Sequence, residues 1–447
     1  MNKRLIAFLS LLSLSLSLPL IPANAAVKAG AACKKVGVKS VALGKTYKCI
    51  KSVKKLVWQL NSKNSTTTQS DNPVAILPIS ELSDPKRFLN LESCKIKHLN
   101  PHATSMVAGF PIVDRRVNLV KGLKAQIIGV DFPDRSAGVL SVREANESYI
   151  SSTEKFWGDQ ASVPVKFEWN WKNEWIRMPN PIKSYDLGGS FFEGKFRDDP
   201  YWSFVRTVIS MADTTVDFTG VNFIYIVFPS LVKVDEIGSF LVHTQGTYST
   251  AEGNIYNLIL AGGTYVNDDT YIHEFGHGLG LTDIRDATNL ADQRSDGMYY
   301  DTMNNNLVPE LLVWHRFLLG ILNDKQIHCI TSNEASTHWI VPVASKSEMV
   351  KGVVIPLSDT EGVIIESRRA IGWDKALRDN IKVYEKNAKD LVGAVVYTLD
   401  TSVPYRKTPV KVVKVLNNQD SVTIRGYKIT LLESGDFGDV VKVEKIS

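Results

Sequence analysis

Apolar positions along this chain recur with two periods, and the two alternate. Lys124–Val130 is a mostly apolar run that ends in Asp131-Phe132-Pro133-Asp134, which reads as a buried strand entering a turn. Ser141–Trp157 follows with Val142, Ala145 and Tyr149 at i, i+3 and i+7 and Phe156 a further seven on, which predicts a helix lying over that strand. Ser141 is a candidate N-cap, and Glu144 three residues later completes a capping box. Val163–Trp175 alternates, with Val165, Phe167, Trp169 and Trp171 at period two, and predicts a strand. Pro200–Asp213 reads as a helix, Val221–Phe228 as a buried strand, and Ile255–Leu260 as another that runs through Gly262-Gly263 toward a further helix. In that helix Ile272, Phe275 and Leu279 form a buried face, with Asp268, Asp269 or Thr270 as its cap. Strand and helix therefore alternate up to this point, which implies an α/β upper half with the last helix packed on the sheet. Beyond Thr337 the pattern changes to short β-branched runs, among them Trp339–Val343, Val353–Pro356, Val363–Ile365 and Val395–Leu399, which predict a β-rich C-terminal domain.

The start of the chain follows neither period. Residues 1–25 combine Lys3 and Arg4, an apolar run from Leu5 to Ile21 broken by serines and Pro19, and Ala23-Asn24-Ala25, the features of a secretory signal peptide. Residues 26–60 interleave lysines with Cys33, Val36, Val38, Tyr47, Cys49 and Trp58, a small module that needs a covalent staple. Residues 61–73, rich in Ser, Thr, Asn and Gln, read as a linker. The expected organisation is therefore signal peptide 1–25, basic module 26–60, linker 61–73, central domain 74–322 and β-rich domain 323–447.

Charge sharpens this division. Of the net +5, the signal residues contribute +2 and residues 26–70, with ten Lys and no Asp, Glu or Arg, contribute +10, so the remainder carries −7. A polyanionic cell envelope is a candidate partner for residues 26–60, with a solvated spacer as the alternative. Nucleic acid is not an expected partner of the acidic remainder, and no membrane span is expected in the mature chain. The four cysteines allow three pairings; proximity favours Cys33 with Cys49 and Cys94 with Cys329, in an oxidising compartment.

Candidate chemistry concentrates in Tyr271–Asp283, which reads Y-I-H-E-F-G-H-G-L-G-L-T-D. On a helix, residues four apart are separated by about 400° of rotation and about 6 Å of rise, so His273 and His277 present their imidazoles from one face to one metal ion. Glu274 lies about 100° around, the place of a general base acting on water. Gly280 lets the helix stop and turn, which would bring Asp283 back as a third ligand. Three protein ligands and one open position are the pattern of catalytic Zn2+. The stray histidines His98 and His102 read as structural or exposed.

HExxHxxG with a third ligand and a downstream methionine turn resembles the metzincin arrangement, and H-E-F-G-H-G-L-G-L-T-D-I-R-D at 273–286 is most similar to the immune inhibitor A family of secreted metallopeptidases. D-F-P-D-R at 131–135, D-T-M at 301–303, W-H-R-F-L-L-G-I-L at 314–322, V-I-I-E-S-R-R-A-I-G-W-D at 363–374 and G-A-V-V-Y-T-L-D at 393–400 agree in order, so the resemblance covers roughly 120–400. It implies an α+β fold, a metzincin-like mixed sheet with its active-site helix, and a secreted zinc endopeptidase acting on a protein or peptide substrate. Carried over, His273 and His277 are zinc ligands, Glu274 the general base, and Met303 the methionine of the turn beneath the metal. Many metzincins have a third His where this chain has Asp283; Glu310 is a competing ligand, and Met298 competes with Met303. Tyr299 or Tyr300 is a candidate oxyanion stabiliser, with a structural role as the alternative. Asp283, Asp286, Asp292, Asp296 and Asp301 form a candidate Ca2+ cluster, with a solvated acidic loop as the alternative. Other readings are a weakly active scaffold serving as a cell-surface binding protein and a zinc hydrolase of cell-wall peptides.

Overall fold

The computed structural model describes residues 32–33, 35–42, 45–52, 55–60, 78–99, 106–187, 199–237, 241–243, 247–262, 267–285, 299–304, 308–375, 377, 391–404, 407–417 and 419–446. Residues 1–25 and 61–73, assigned above to a signal peptide and a linker, lie outside the described residues, as do Gly263, His102, Asp286, Asp292, Asp296 and Met298. The chain divides into two compact units, Met1–Val74 and Ala75–Ser447. Among the described residues no helix is long and apolar enough to cross a membrane.

In the first unit β1 (Lys39–Ala42), β2 (Lys45–Ser52) and β3 (Lys55–Leu60) form an antiparallel sheet, and Cys33 is disulfide-bonded to Cys49. The register divides its residues between two faces. Cys49 lies opposite Trp58 on one; Lys39 lies directly opposite Lys48 on the other, which also carries Lys55 across from Ser52. Like charges directly opposed across strands are unfavourable.

The second unit is a mixed α/β assembly with few helices, built in layers. β4 (Leu123–Asp131), β5 (Phe167–Arg177), β6 (Phe223–Val227), β7 (Leu241–His243) and, after the small hairpin β8 (Tyr248–Thr250) and β9 (Gly253–Ile255), β10 (Leu258–Ala261) build one sheet of order β5-β4-β6-β10-β7. Its strands are parallel except β7, which runs antiparallel to β10. The period-two rule divides its side chains cleanly between two cores. Ala125, Ile127, Phe223, Tyr225, Val227 and Ile259 face one, with α1 (Val142–Gln160) and α3 (Asp268–Gly278); Ile128, Val130, Ile224, Ile226, Leu258 and Leu260 face the other, with α2 (Asp199–Asp213). α1 begins at the expected capping box: the Ser141 hydroxyl accepts from the Glu144 amide, and the Glu144 carboxylate accepts from the Ser141 amide at 2.8 Å.

Two expectations need correction. Ile255–Leu260 is not one strand, because β9 ends at Ile255 and β10 begins at Leu258; the intervening Asn257 side chain donates instead to the Arg115 and Asn222 carbonyls. The cap of α3 is Asn267 rather than Asp268, Asp269 or Thr270: its side chain accepts from the Thr270 amide at 3.0 Å and hydroxyl at 2.8 Å.

α4 (Val313–Leu318) leads to β11 (Ile327–Cys329) and two C-terminal sheets. β11 joins β13 (Gly352–Pro356), β14 (Glu361–Arg368), β15 (Gly393–Asp400) and β16 (Val410–Leu416); β12 (Ser336–Ile340), β17 (Ser421–Ile424), β18 (Tyr427–Gly435) and β19 (Gly438–Lys445) form the second sheet. Val353, Ile355, Val363, Ile365 and Val396 face the core between these sheets, whereas Val354, Ile364, Val395 and Tyr397 face the same core as α3. Residues 74–322 and 323–447 thus share apolar burial, and Cys94–Cys329 ties them covalently.

Candidate metal centre

The sequence of α3 commits it to burial on several sides, and each small residue has a reason. Phe275 and Leu279 are fully buried, each such side chain contributing roughly 1.5–3 kcal/mol. A Cβ on Gly276 would lie 2.4 Å from the Met303 sulfur, and one on Gly278 would lie 2.2 Å from the Phe223 ring, so the two glycines let a methionine and the sheet approach the helix backbone. Gly280 takes φ +103°, a left-handed conformation suited to glycine, and turns the chain immediately after the helix. The turn is held by neighbours: the Val107 amide donates to the Gly280 carbonyl at 2.8 Å, and Arg116 Nη1 donates to the His277 carbonyl at 2.7 Å. Burial lowers the Arg116 guanidinium to about 9.

This backbone brings His273, His277 and Asp283 together, with one ligand atom from each lying within 4.8 Å of the others. Asp283 Oδ1 is 3.4 Å from His273 Nε2 and 3.9 Å from His277 Nε2, and this buried oxygen has no hydrogen-bond partner. Each ring is oriented through its other nitrogen. His273 Nδ1 is 2.7 Å from the Thr302 carbonyl and His277 Nδ1 is 2.8 Å from the Leu281 carbonyl. A carbonyl only accepts, so each Nδ1 carries a proton; the His277 ring turns its Nε2 lone pair toward Asp283, and His273 presents its Nε2 to the same carboxylate.

Electrostatics follow from enclosure. Burial lowers the His277 imidazole to about 4, keeping it neutral at pH 7. Burial also works to lower His273, but Asp283 and Glu274 outweigh it and raise that imidazole above its ordinary value. Burial works to raise Asp283, and its neighbours His273, His277 and Arg285 outweigh it, holding the carboxyl below the usual range. Desolvation pushes the Glu274 carboxyl up to about 7, and no side chain among the described residues hydrogen-bonds it.

The remaining candidates separate. Asp283, and not Glu310, is the carboxylate at the imidazoles; Glu310 is buried in an ion pair with Arg316 and accepts from the Trp373 amide at 3.0 Å. Met303 packs beneath α3, and its carbonyl accepts from the Ile284 amide at 3.1 Å. Tyr299 and Tyr300 belong to the apolar core, and the Tyr300 hydroxyl is buried without a hydrogen bond. The calcium expectation loses its described members. Asp283 is at the imidazoles, and Asp301 is fully buried, its carboxylate accepting from the Met303 and Leu312 amides at 2.7 Å each. His98 accepts from the Ala108 amide through Nδ1 at 3.2 Å. Sequence reading passed over the Thr302 and Leu281 carbonyls and Arg116, and offered Asp301 as a calcium candidate where the structure gives it His315 as a partner at 2.8 Å. Only the aspartate carried a signal, two residues before the methionine.

No protein-family model matches the chain, and a search of curated proteins found no match.

Proposed function

We propose that this protein is a secreted zinc endopeptidase of metzincin type, similar to the immune inhibitor A family, with His273, His277 and Asp283 as metal ligands and Glu274 as general base. The observation that carries the reading is the pair of carbonyl-oriented imidazoles aimed at one unpartnered carboxylate oxygen. The donor set fits zinc. With metal–ligand distances of about 2.0–2.2 Å, ligand atoms of a tetrahedral site lie roughly 3.3–3.6 Å apart. The separations of 3.4 and 3.9 Å are close to that, and the buried oxygen, 3.6 Å from Arg285 Nε, makes no hydrogen bond that a metal would have to displace. Zinc held there supplies Lewis acidity, polarising a carbonyl and acidifying water.

The chain's own residues do the rest. Glu274, which no side chain among the described residues hydrogen-bonds and which is poised near neutral pH, takes a proton from the attacking water and returns it to the leaving amine nitrogen. The Thr302 and Leu281 carbonyls fix the tautomer and aim the imidazoles, the usual task of groups behind metal ligands. Two disulfides suit export to an oxidising compartment.

The test is zinc content of the purified protein beside hydrolysis of casein and of peptidoglycan, each with and without chelator. Chelator-sensitive casein cleavage supports the endopeptidase; cleavage of peptidoglycan alone replaces it with a hydrolase of wall peptides; zinc binding without turnover leaves a binding scaffold. For residues 26–60 we propose contact with a polyanionic envelope. Exposed Lys48 and Lys55 on one face of the sheet, in a segment with no acidic residue, support it. Retention by purified envelope that vanishes with added salt is the expected result.

A further inference from the structure

His273 owes its orientation to the carbonyl of Thr302, and Thr302 lies in a short irregular turn, 300–303, with no helix or strand to hold it. Two buried charged groups supply what the backbone lacks. Asp301 accepts from the Met303 amide through Oδ1 at 2.7 Å, and from the Leu312 amide through Oδ2 at 2.7 Å, with His315 Nδ1 at 2.8 Å on that same oxygen. Arg368, at the end of β14 in the C-terminal sheet, reaches the turn from the other side. Its Nη2 donates to the Tyr300 carbonyl at 2.8 Å and the Leu311 carbonyl at 3.1 Å, and its Nη1 to the Glu310 carbonyl at 3.0 Å. Its charge is balanced by Asp374, 2.9 Å from Nη1, and by Glu366, which accepts from Nε at 2.6 Å. Arg368, Glu366, Asp374 and Asp301 are all fully buried.

Resting on the reading of the site given above, we infer that Arg368 and Asp301 are positioning residues for the metal centre: the C-terminal sheet sets the turn that aims His273. A buried ionic cluster is no more stabilising than well-packed apolar side chains of similar volume. What a guanidinium adds is a planar fork that fixes several carbonyls at set angles. Here the fork spans both ends of the segment that begins at Tyr300 and returns at Leu311, so a shift of the sheet is a shift of the Thr302 carbonyl. The C-terminal domain is then part of the site and not an appendage to it.

The experiment compares Arg368→Lys, which keeps the charge but not the fork, Asp301→Asn, and Val396→Ala, which opens the core between the two C-terminal sheets without touching the turn. Zinc affinity is measured by competition with a chromophoric chelator, and exchange of the Met303 amide by NMR. Arg368→Lys and Asp301→Asn are each expected to weaken zinc binding by about 10–100-fold and to quicken Met303 exchange, whereas Val396→Ala does neither. Wild-type affinity and exchange in both turn variants would overturn the inference, and so would an equal loss in Val396→Ala. Should Arg368→Lys fail to fold, Asp301→Asn carries the test alone. Should the unsubstituted protein take up no zinc, the proposed function fails, and Met303 exchange still decides whether the clamp holds the turn.

Discussion

Two pairs of buried histidines sit in this molecule, one on α3 and one on β11 and β12, and their construction differs at every point that matters to a metal. His273 and His277 spend their Nδ1 atoms on the Thr302 and Leu281 carbonyls and turn both Nε2 atoms to Asp283. His328 and His338 spend theirs on each other: the two Nδ1 atoms are 2.9 Å apart, so one ring donates to its neighbour. His338 Nε2 lies 2.8 Å from the Ser336 hydroxyl, and both rings pack against Phe88, with centroids 5.0 and 4.6 Å away. Among the described residues no carboxylate is hydrogen-bonded to either ring. Adjacency and burial are common to both pairs; carbonyls that set the tautomer and a carboxylate facing both Nε2 atoms distinguish the pair on α3.

The largest test of that contrast is at Glu274. Glu274→Gln should cut casein turnover on the order of 10²–10⁴-fold while zinc content stays the same, whereas His338→Phe should leave turnover as it is. An active Glu274→Gln enzyme would remove the base from the mechanism. Next comes the acid that the second pair lacks. Asp283→Ala should leave a protein that loses zinc on dialysis against dilute chelator while its far-ultraviolet circular dichroism is kept; full retention of zinc would pass the third position to another group.

A smaller effect separates the pairs by pH. Burial lowers His328 to about 4 and His338 to about 3, with the His328 and Arg87 charges adding to the latter. The unfolded imidazoles titrate near 6.5, so below that pH the unfolded chain holds protons that the folded one refuses. Stability contributed by the neutral pair is complete above about pH 6.5 and is lost as pH falls toward 4 and 3, at roughly 1.4 kcal/mol per pH unit per proton. Urea midpoints between pH 7 and 4 should drop less steeply in His338→Phe than in wild type; equal slopes would place the acid sensitivity elsewhere. Smallest is Gly278→Ala, in which the new methyl group meets the Phe223 ring and should cost roughly 1–3 kcal/mol in urea unfolding.

The cluster of His273, His277 and Asp283 was legible in the sequence because a helix fixes the geometry of residues four apart and a glycine announces where it ends. His273, His277 and Asp283 are ten positions from first to last, and local rules cover that distance. The alternation of strand and helix before α3 was legible for the same local reason, since α1 and α2 carry a helical period and β4 and β6 are short apolar runs. The strand break at Asn257 was not, because what replaces the ladder there is an amide reaching Arg115 and Asn222, far away in the sequence. Nor was the fate of Glu310, which spacing allowed as a ligand. Its ion pair with Arg316 and its contact with the Trp373 amide depend on how β14 and the segment after it pack beneath α4. Arg368 is the extreme case: its partners at Tyr300 and Leu311 are 68 and 57 residues away, and no periodicity links them.

The bond between Cys94 and Cys329 spans 235 residues, a stretch that holds the whole of α3 and the turn beneath it. A cut anywhere inside it leaves two pieces that still migrate as one on a non-reducing gel and come apart only with reductant. For a protein proposed to be a peptidase, the scission that would end most chains leaves this one nicked and whole. Trimming before Cys94, by contrast, sheds everything upstream without touching that link.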